Sequence, residues 1–183
     1  MAEKYQNKYR SASARASWWN YGLDAAYFIT ICTGDRRYYF GKVINSKMML
    51  SQTGIVANSC WHEIMNHAKN VELGEFVVMP NHVHGIVILK DNFEFAESPV
   101  FKLAPHRFHP RFQNPGKNTL SSIIGSYKSA VTKHTRRLGR TFAWQSRFHD
   151  HIIRNVDEYQ RISTYIRNNP HNWQKDKFSR KPG

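Results

Sequence analysis

Two pairs of residues in this 183-residue chain have the types and the spacing to do chemistry together. His82 and His84 stand two apart in FVVMPNHVHGIVIL, the run from Phe76 to Leu89. On a strand, side chains alternate between faces, so both imidazoles point the same way and can share one ion. Tyr165 and Asn169 stand four apart in YIRNN. On a helix that spacing places the amide one turn beyond the phenol on the same face.

Neither pair is specific by itself. The chain has ten histidines, and a second triplet occurs at His149-Asp150-His151, so an isolated His-x-His is weak evidence of a metal site. A tyrosine on a helix surface is ordinary. The composition raises the value of both. Lys and Arg number 27 against 13 Asp and Glu, a formal charge of +14 with a pI near 10.0. A compact domain with that excess repels itself unless a polyanion sits against it, and nucleic acid is the first candidate. A membrane surface is the weaker one, since the sequence contains neither an 18-residue apolar run nor a strongly amphipathic basic helix.

Together these features fit attack on a phosphodiester. A phenol with a pKa near 10 is a poor nucleophile at neutral pH. A divalent ion held by neutral imidazole and amide groups makes phosphorus electrophilic and stabilises the departing oxygen. Two histidines and one asparagine leave open positions for phosphate oxygens. The product, a phosphotyrosine, conserves the energy of the broken bond and can be reversed by a second DNA end without ATP.

The elements that must position these residues are legible in order. Ala26 to Thr33 (AYFITICT) is a β-branched and aromatic run, expected as a central strand. Residues 38–50 suit a small hairpin turning at Asn45-Ser46. A helix starts near Gln52 behind Ser51 as its cap, with Val56, Cys60, Ile64 and Ala68 as its buried stripe. Strands at about 72–79 and 82–89 join through Pro80-Asn81. Residues 90–118 carry four prolines and no period, a long connection. A second helix covers 119–138, with Leu120, Ile123, Ile124, Tyr127 and Val131 inward; Phe142 to Ile153 is extended. Asn155 caps a last helix, with Glu158 in the capping-box position, Tyr159, Ile162 and Ile166 as its packing stripe, and Pro170 ending it at Asn169. This order is the split βαβ pattern of an α+β ferredoxin-like sandwich, an antiparallel sheet with helices, plus a C-terminal catalytic helix. One domain over 21–178 is expected, with a basic N-terminal arm at 1–20 and a basic tail at 179–183.

The text of the sequence resembles the single-tyrosine HUH transposases, in particular the REP-associated tyrosine transposase branch. The matching stretches are YFITICT…FG (27–41), VELGEFVVMPNHVHGIVIL (71–89), SIIGSYKSAVTK (122–133), WQSRFHDHIIRN (144–155) and YIRNNPHNW (165–173). The resemblance implies that His82 and His84 are the two-histidine metal motif, and that Tyr165 is the nucleophile that becomes joined to a 5′ phosphate. Asn169 corresponds to the third metal ligand; insertion-sequence members carry Gln there, and the REP-associated branch carries Asn. It further implies Mg²⁺ or Mn²⁺ as cofactor. The substrate implied is single-stranded DNA with hairpins, REP-like or at insertion-sequence ends.

Other residues follow from charge and context. Lys128, Lys133, Arg136 and Arg137 on the second helix, with Arg10 and Arg15 on the arm, are the expected DNA contacts. Arg140 belongs with them. His151 is placed near the site. Tyr127 and Tyr159 are expected in the core, and Cys32 and Cys60 as inert small hydrophobes. Trp18, Trp19, Trp144 and Trp173 fit base stacking and core packing equally. The polar, basic start offers no secretory signal, and a cytoplasmic, nucleoid-associated location is expected. Monomer and homodimer both stay open. The rival function is a non-catalytic, domesticated DNA-hairpin-binding protein of the same fold.

Overall fold

A computed structural model describes residues 25–90 and 119–179, together with the backbone of two short paired strands at Lys4–Tyr5 and Lys8–Tyr9. The main elements are β1 (Ala25–Cys32), β2 (Gly41–Ile44), β3 (Lys47–Leu50), α1 (Gln52–His62) and a single turn α2 (Ile64–His67). They continue with β4 (Val71–Met79), β5 (His82–Leu89), α3 (Leu120–Arg137), β6 (His149–Ile153) and α4 (Val156–Asn168). The basic arm with Arg10 and Arg15, Trp18, Trp19, the connection over 91–118 and the last residues of the tail lie outside the described residues.

The sheet runs β4-β5-β1-β6, and every neighbouring pair is antiparallel. This is the α+β sandwich expected from the element order. Alternation along β1 explains how the layers form. Tyr27, Ile29 and Ile31 point to one face, where α1 and α3 close the larger core over them. Ala26 and Phe28 point to the other, where α4 lays Ile162 and Ile166 against Ala26, Ile86 and Ile153. The sheet is thus covered on both sides, and the predicted last helix is the cover on the face that carries His82 and His84.

Local chemistry sets the boundaries. Ser51 Oγ accepts from the Gly54 amide and Thr119 Oγ1 from the Ser122 amide, each replacing a bond the first helical turn lacks. The Asn155 side chain accepts from the Glu158 amide at 2.8 Å. The capping box is displaced by one residue, because Glu158 Oε2 accepts from the Arg154 amide rather than from Asn155. Asn45 and Ser46, with φ of 48° and 60°, make the tight hairpin turn between β2 and β3.

One expectation about α1 is corrected. Its buried residues are Thr53, Gly54, Ala57 and Trp61, whereas Val56 and Cys60 are only half-buried. The stripe sits one position later because Trp61 fills the space above Gly85 on β5, where an added Cβ would lie 2.2 Å from the indole. The helix also stops at His62, so Ile64 and Ala68 reach the core from a separate turn and its exit.

Candidate active site

The protonation of His82 can be read from its neighbours. Both Asn81 Nδ2 hydrogens are committed, to the carbonyls of Phe178 at 2.8 Å and Arg36 at 3.2 Å. Asn81 Oδ1 is therefore the acceptor in the 2.9 Å contact with His82 Nδ1, and that nitrogen carries the ring proton. Nε2 keeps its lone pair. It is fully buried and has no hydrogen-bond partner among the described residues. A buried acceptor left bare in this way is costly in a protein unless something binds it.

His84 is held at both ring nitrogens by neighbouring side chains. Its Nδ1 lies 2.9 Å from Thr30 Oγ1 on β1, and its Nε2 faces the Tyr165 hydroxyl at 3.3 Å. The two imidazole centroids are 4.3 Å apart. Burial holds both rings neutral: His84 is pushed down to about 3, and His82 is lowered well below its ordinary value, with the nearby His84, Arg36 and Lys177 acting in the same direction. Neutral imidazoles with a second-atom hydrogen bond at Nδ1 are the form that ligates metals.

Tyr165 comes from α4, beside the stripe that buries Ile162 and Ile166. Its ring meets Phe28 edge-on and stays 42% exposed, so one side of the phenol is anchored and the other is open. Burial raises its pKa, the Asp176 charge adds to the rise, and the Asn169 amide offsets part of it. The hydroxyl is protonated at neutral pH. Asn169 is buried at the end of α4; its Nδ2 donates to Asp176 Oδ2 at 3.1 Å, and its Oδ1 is a second buried acceptor without a partner among the described residues.

Asp176 joins this group with no signal in the sequence to point to it. It lies beyond the terminal helix, in a segment whose course no periodicity describes. Trp173 and Phe178 fold that segment back, packing on His82 with ring centroids 6.0 and 4.6 Å away. Its Oδ1 accepts from the Phe178 amide at 2.8 Å. One ligand atom each from His82, His84 and Asp176 lies within 4.8 Å of the others, a spacing that could hold a metal ion. The bare His82 Nε2 and Asn169 Oδ1 fit such an ion as well, so the donor set agrees with a divalent cation.

The other expected residues are dispersed. Lys133, Arg136 and Arg137 are exposed on α3, on the sheet face opposite the histidine pair. Lys128 is engaged within the fold: its Nζ donates to the Gln145 and Ser146 carbonyls at 2.7 and 3.2 Å, and burial lowers its pKa. Lys128, Ser129, Thr132, Lys133, Arg136 and Trp144 line a shallow groove of about 520 Å³. Trp144 packs on Phe40, Phe142 and Tyr127, and Trp173 is buried, so both belong to the packing. Tyr127 is fully packed, its hydroxyl donating to the Ala57 carbonyl at 3.1 Å. His151 lies on the same sheet face as the site, opposite Phe28, with its Nε2 2.8 Å from Glu158 Oε1.

Comparison with known proteins agrees with this architecture. An uncharacterized protein of Haemophilus influenzae is 34% identical over 167 residues, covering 91% of each chain. The solved structure of a REP-associated tyrosine transposase bound to a REP hairpin superposes with a TM-score of 0.55 at 21% identity, covering 86% of this chain and 74% of the other. No family model matches the sequence.

Proposed function

This chain belongs to the family of the Haemophilus influenzae protein and has the fold of a tyrosine transposase, and on that premise we propose that it cleaves and rejoins single-stranded DNA at hairpin-associated sites. The nucleophile is Tyr165, and the product is a 5′-phosphotyrosine. The observation that carries the reading is the Tyr165 hydroxyl 3.3 Å from His84 Nε2, beside the bare Nε2 of His82.

In this reading His82, His84 and Asn169 hold a Mg²⁺ or Mn²⁺ ion. Such an ion, when bound, draws charge from the phosphate and stabilises the leaving oxygen. The chain does the rest. Asn81 fixes the His82 tautomer and Thr30 Oγ1 holds the His84 ring by its Nδ1, so that both Nε2 atoms face the site. Phe28 holds the Tyr165 ring edge-on while the open side of the phenol admits DNA. The Tyr165 oxygen loses its proton and bonds to phosphorus; the bond to the 3′ oxygen breaks, and that oxygen takes up a proton. A different 3′ hydroxyl reverses the step and releases Tyr165.

The proposed DNA path uses both sheet faces. The Gln145 amide donates to the Cys32 carbonyl, and the Thr33 amide to the Asn81 carbonyl. The Trp144 groove on the α3 side and the turn before His82 therefore meet at one end of β1. Lys133, Arg136 and Arg137 hold duplex phosphates there while the unpaired strand passes to Tyr165, and Arg10 and Arg15 of the 1–20 arm are further phosphate contacts in this reading. The working unit is a single 21–178 domain with a short basic tail. No helix among the described residues is long and apolar enough to cross a membrane.

The test is a denaturing gel of protein incubated with Mn²⁺ and labelled single-stranded hairpins from its genomic flanks. A label-bearing protein band that disappears in Tyr165→Phe is the expected result. Tight binding without any such band would replace this reading with the non-catalytic hairpin binder.

A further inference from the structure

We infer that Asp176 is a direct ligand of the same metal ion, so that the site is a two-histidine, one-carboxylate centre rather than a purely neutral one; this rests on the metal-dependent reading above. The first argument is position. A ligand atom of Asp176 lies within 4.8 Å of one from each histidine, with no rearrangement of the backbone needed to bring the three into one group. The second is preparation. Asp176 Oδ1 is held by the Phe178 amide at 2.8 Å and Oδ2 by Asn169 Nδ2 at 3.1 Å. A carboxylate oxygen accepts more than one interaction, so each bond orients the group without using it up. Asn169 thereby has two duties, its amide nitrogen steadying the carboxylate while its bare Oδ1 faces the same space.

The third argument is charge. Arg36 and Lys177 lie over the Phe178 ring at 5.2 and 5.1 Å, beside the two histidines. A dication held by two imidazoles and an amide would meet these cations with nothing to offset it. Asp176 is the acid that the described residues group with the pair. Mg²⁺ and Mn²⁺ are hard ions that favour oxygen donors, and Mg²⁺ sites usually include one or two carboxylates. A carboxylate here lets the ion bind before DNA arrives.

The consequence is structural as well. Asp176 belongs to the segment that Trp173 and Phe178 fold over the site, so the ion joins that segment to β5. Metal binding to the DNA-free chain should therefore raise its melting temperature through this contact.

The experiment is isothermal titration of Mn²⁺ into the full DNA-free chain, with the melting temperature read alongside. Removing a ligand should cost at least as much as the roughly 10–100-fold expected for an outer partner. Asp176→Asn, which keeps the shape and one of the two acceptor oxygens, should weaken Mn²⁺ binding by at least about tenfold and abolish the thermal shift. Asp176→Glu should retain part of the affinity. Asp176→Cys should bind Cd²⁺ with a thiolate charge-transfer band that the wild type, with its own Cys32 and Cys60, does not show. Equal Mn²⁺ affinity in wild type and Asp176→Asn, with loss in His84→Ala, would overturn the role of Asp176 and leave the histidine site standing. The same holds for an Asp176→Cys variant that binds the metal without the band. A wild type that binds no Mn²⁺, or a His84→Ala variant that binds it normally, would remove the metal reading itself, and the inference with it.

Discussion

The chain carries two His-x-His triplets, and both lie on the same face of the same sheet. Thr30 on β1 stands opposite His84 on one side and His149 on the other. Spacing and face are shared, yet the environments are opposite. β5 is an interior strand whose pair is covered by α4 and the 173–178 segment, leaving His82 and His84 at 0% and 2% exposure. β6 is an edge strand, and His149 and His151 both face solvent. Each ring of the buried pair has an Nδ1 partner and an Nε2 aimed at the space below Tyr165. Of the exposed pair, His151 meets Glu158 in a surface contact of the kind that contributes little to stability. A pattern of residue types therefore proposes a site, and the cover placed over it decides.

Several substitutions can break this contrast. The largest effect is expected from His84→Ala, which should abolish the covalent DNA adduct on a denaturing gel. His149→Ala should leave the adduct rate within about twofold; equal losses from both would dissolve the distinction. The second concerns pH in the metal-free protein. The folded pKa of His84 lies near 3, below the 6.5 of an unperturbed histidine, and that of His82 is shifted the same way. The unfolded chain takes up protons first, so the stability these rings contribute is complete above about pH 6.5 and is lost as pH falls toward 3. A few kcal/mol are at stake. The double variant His82→Gln, His84→Gln should flatten the curve of chemical-denaturation midpoint against pH over that window.

Gly85→Ala tests what lies behind the buried pair. Its Cβ would meet Trp61 at 2.2 Å, on the sheet face away from the histidines. Overpacking of this kind costs about 1–3 kcal/mol, readable as a lower denaturation midpoint. Asn81→Ala removes the group that holds the proton on His82 Nδ1 and should weaken Mn²⁺ binding by about 10–100-fold in a titration. The smallest effect is expected at the edge strand, where His151→Gln should change stability by less than about 0.5 kcal/mol.

Much of the architecture was legible from local pattern. Strand alternation placed His82 and His84 together, helical spacing placed Asn169 one turn from Tyr165, and capping residues marked the starts of α1 and α4. These readings hold because they depend on neighbours in the chain. The stripe of α1 was misread by one position, since a glycine on a distant strand determines where Trp61 packs. Lys128 is expected from the sequence as a DNA contact, but the returning 144–146 segment supplies two carbonyls to its ammonium.

By itself, then, the sequence determined the order of elements, the paired imidazoles, the tyrosine and its amide, and the excess of positive charge. Only the tertiary structure decided which His-x-His is buried, which nitrogen of His82 is bare, and that Asp176 stands beside the pair. The physical reason is that periodicity records which face a residue takes within its own element. Burial, tautomer and ligand spacing depend on what other elements bring to that face, here α4 and a segment about ninety residues downstream of His82.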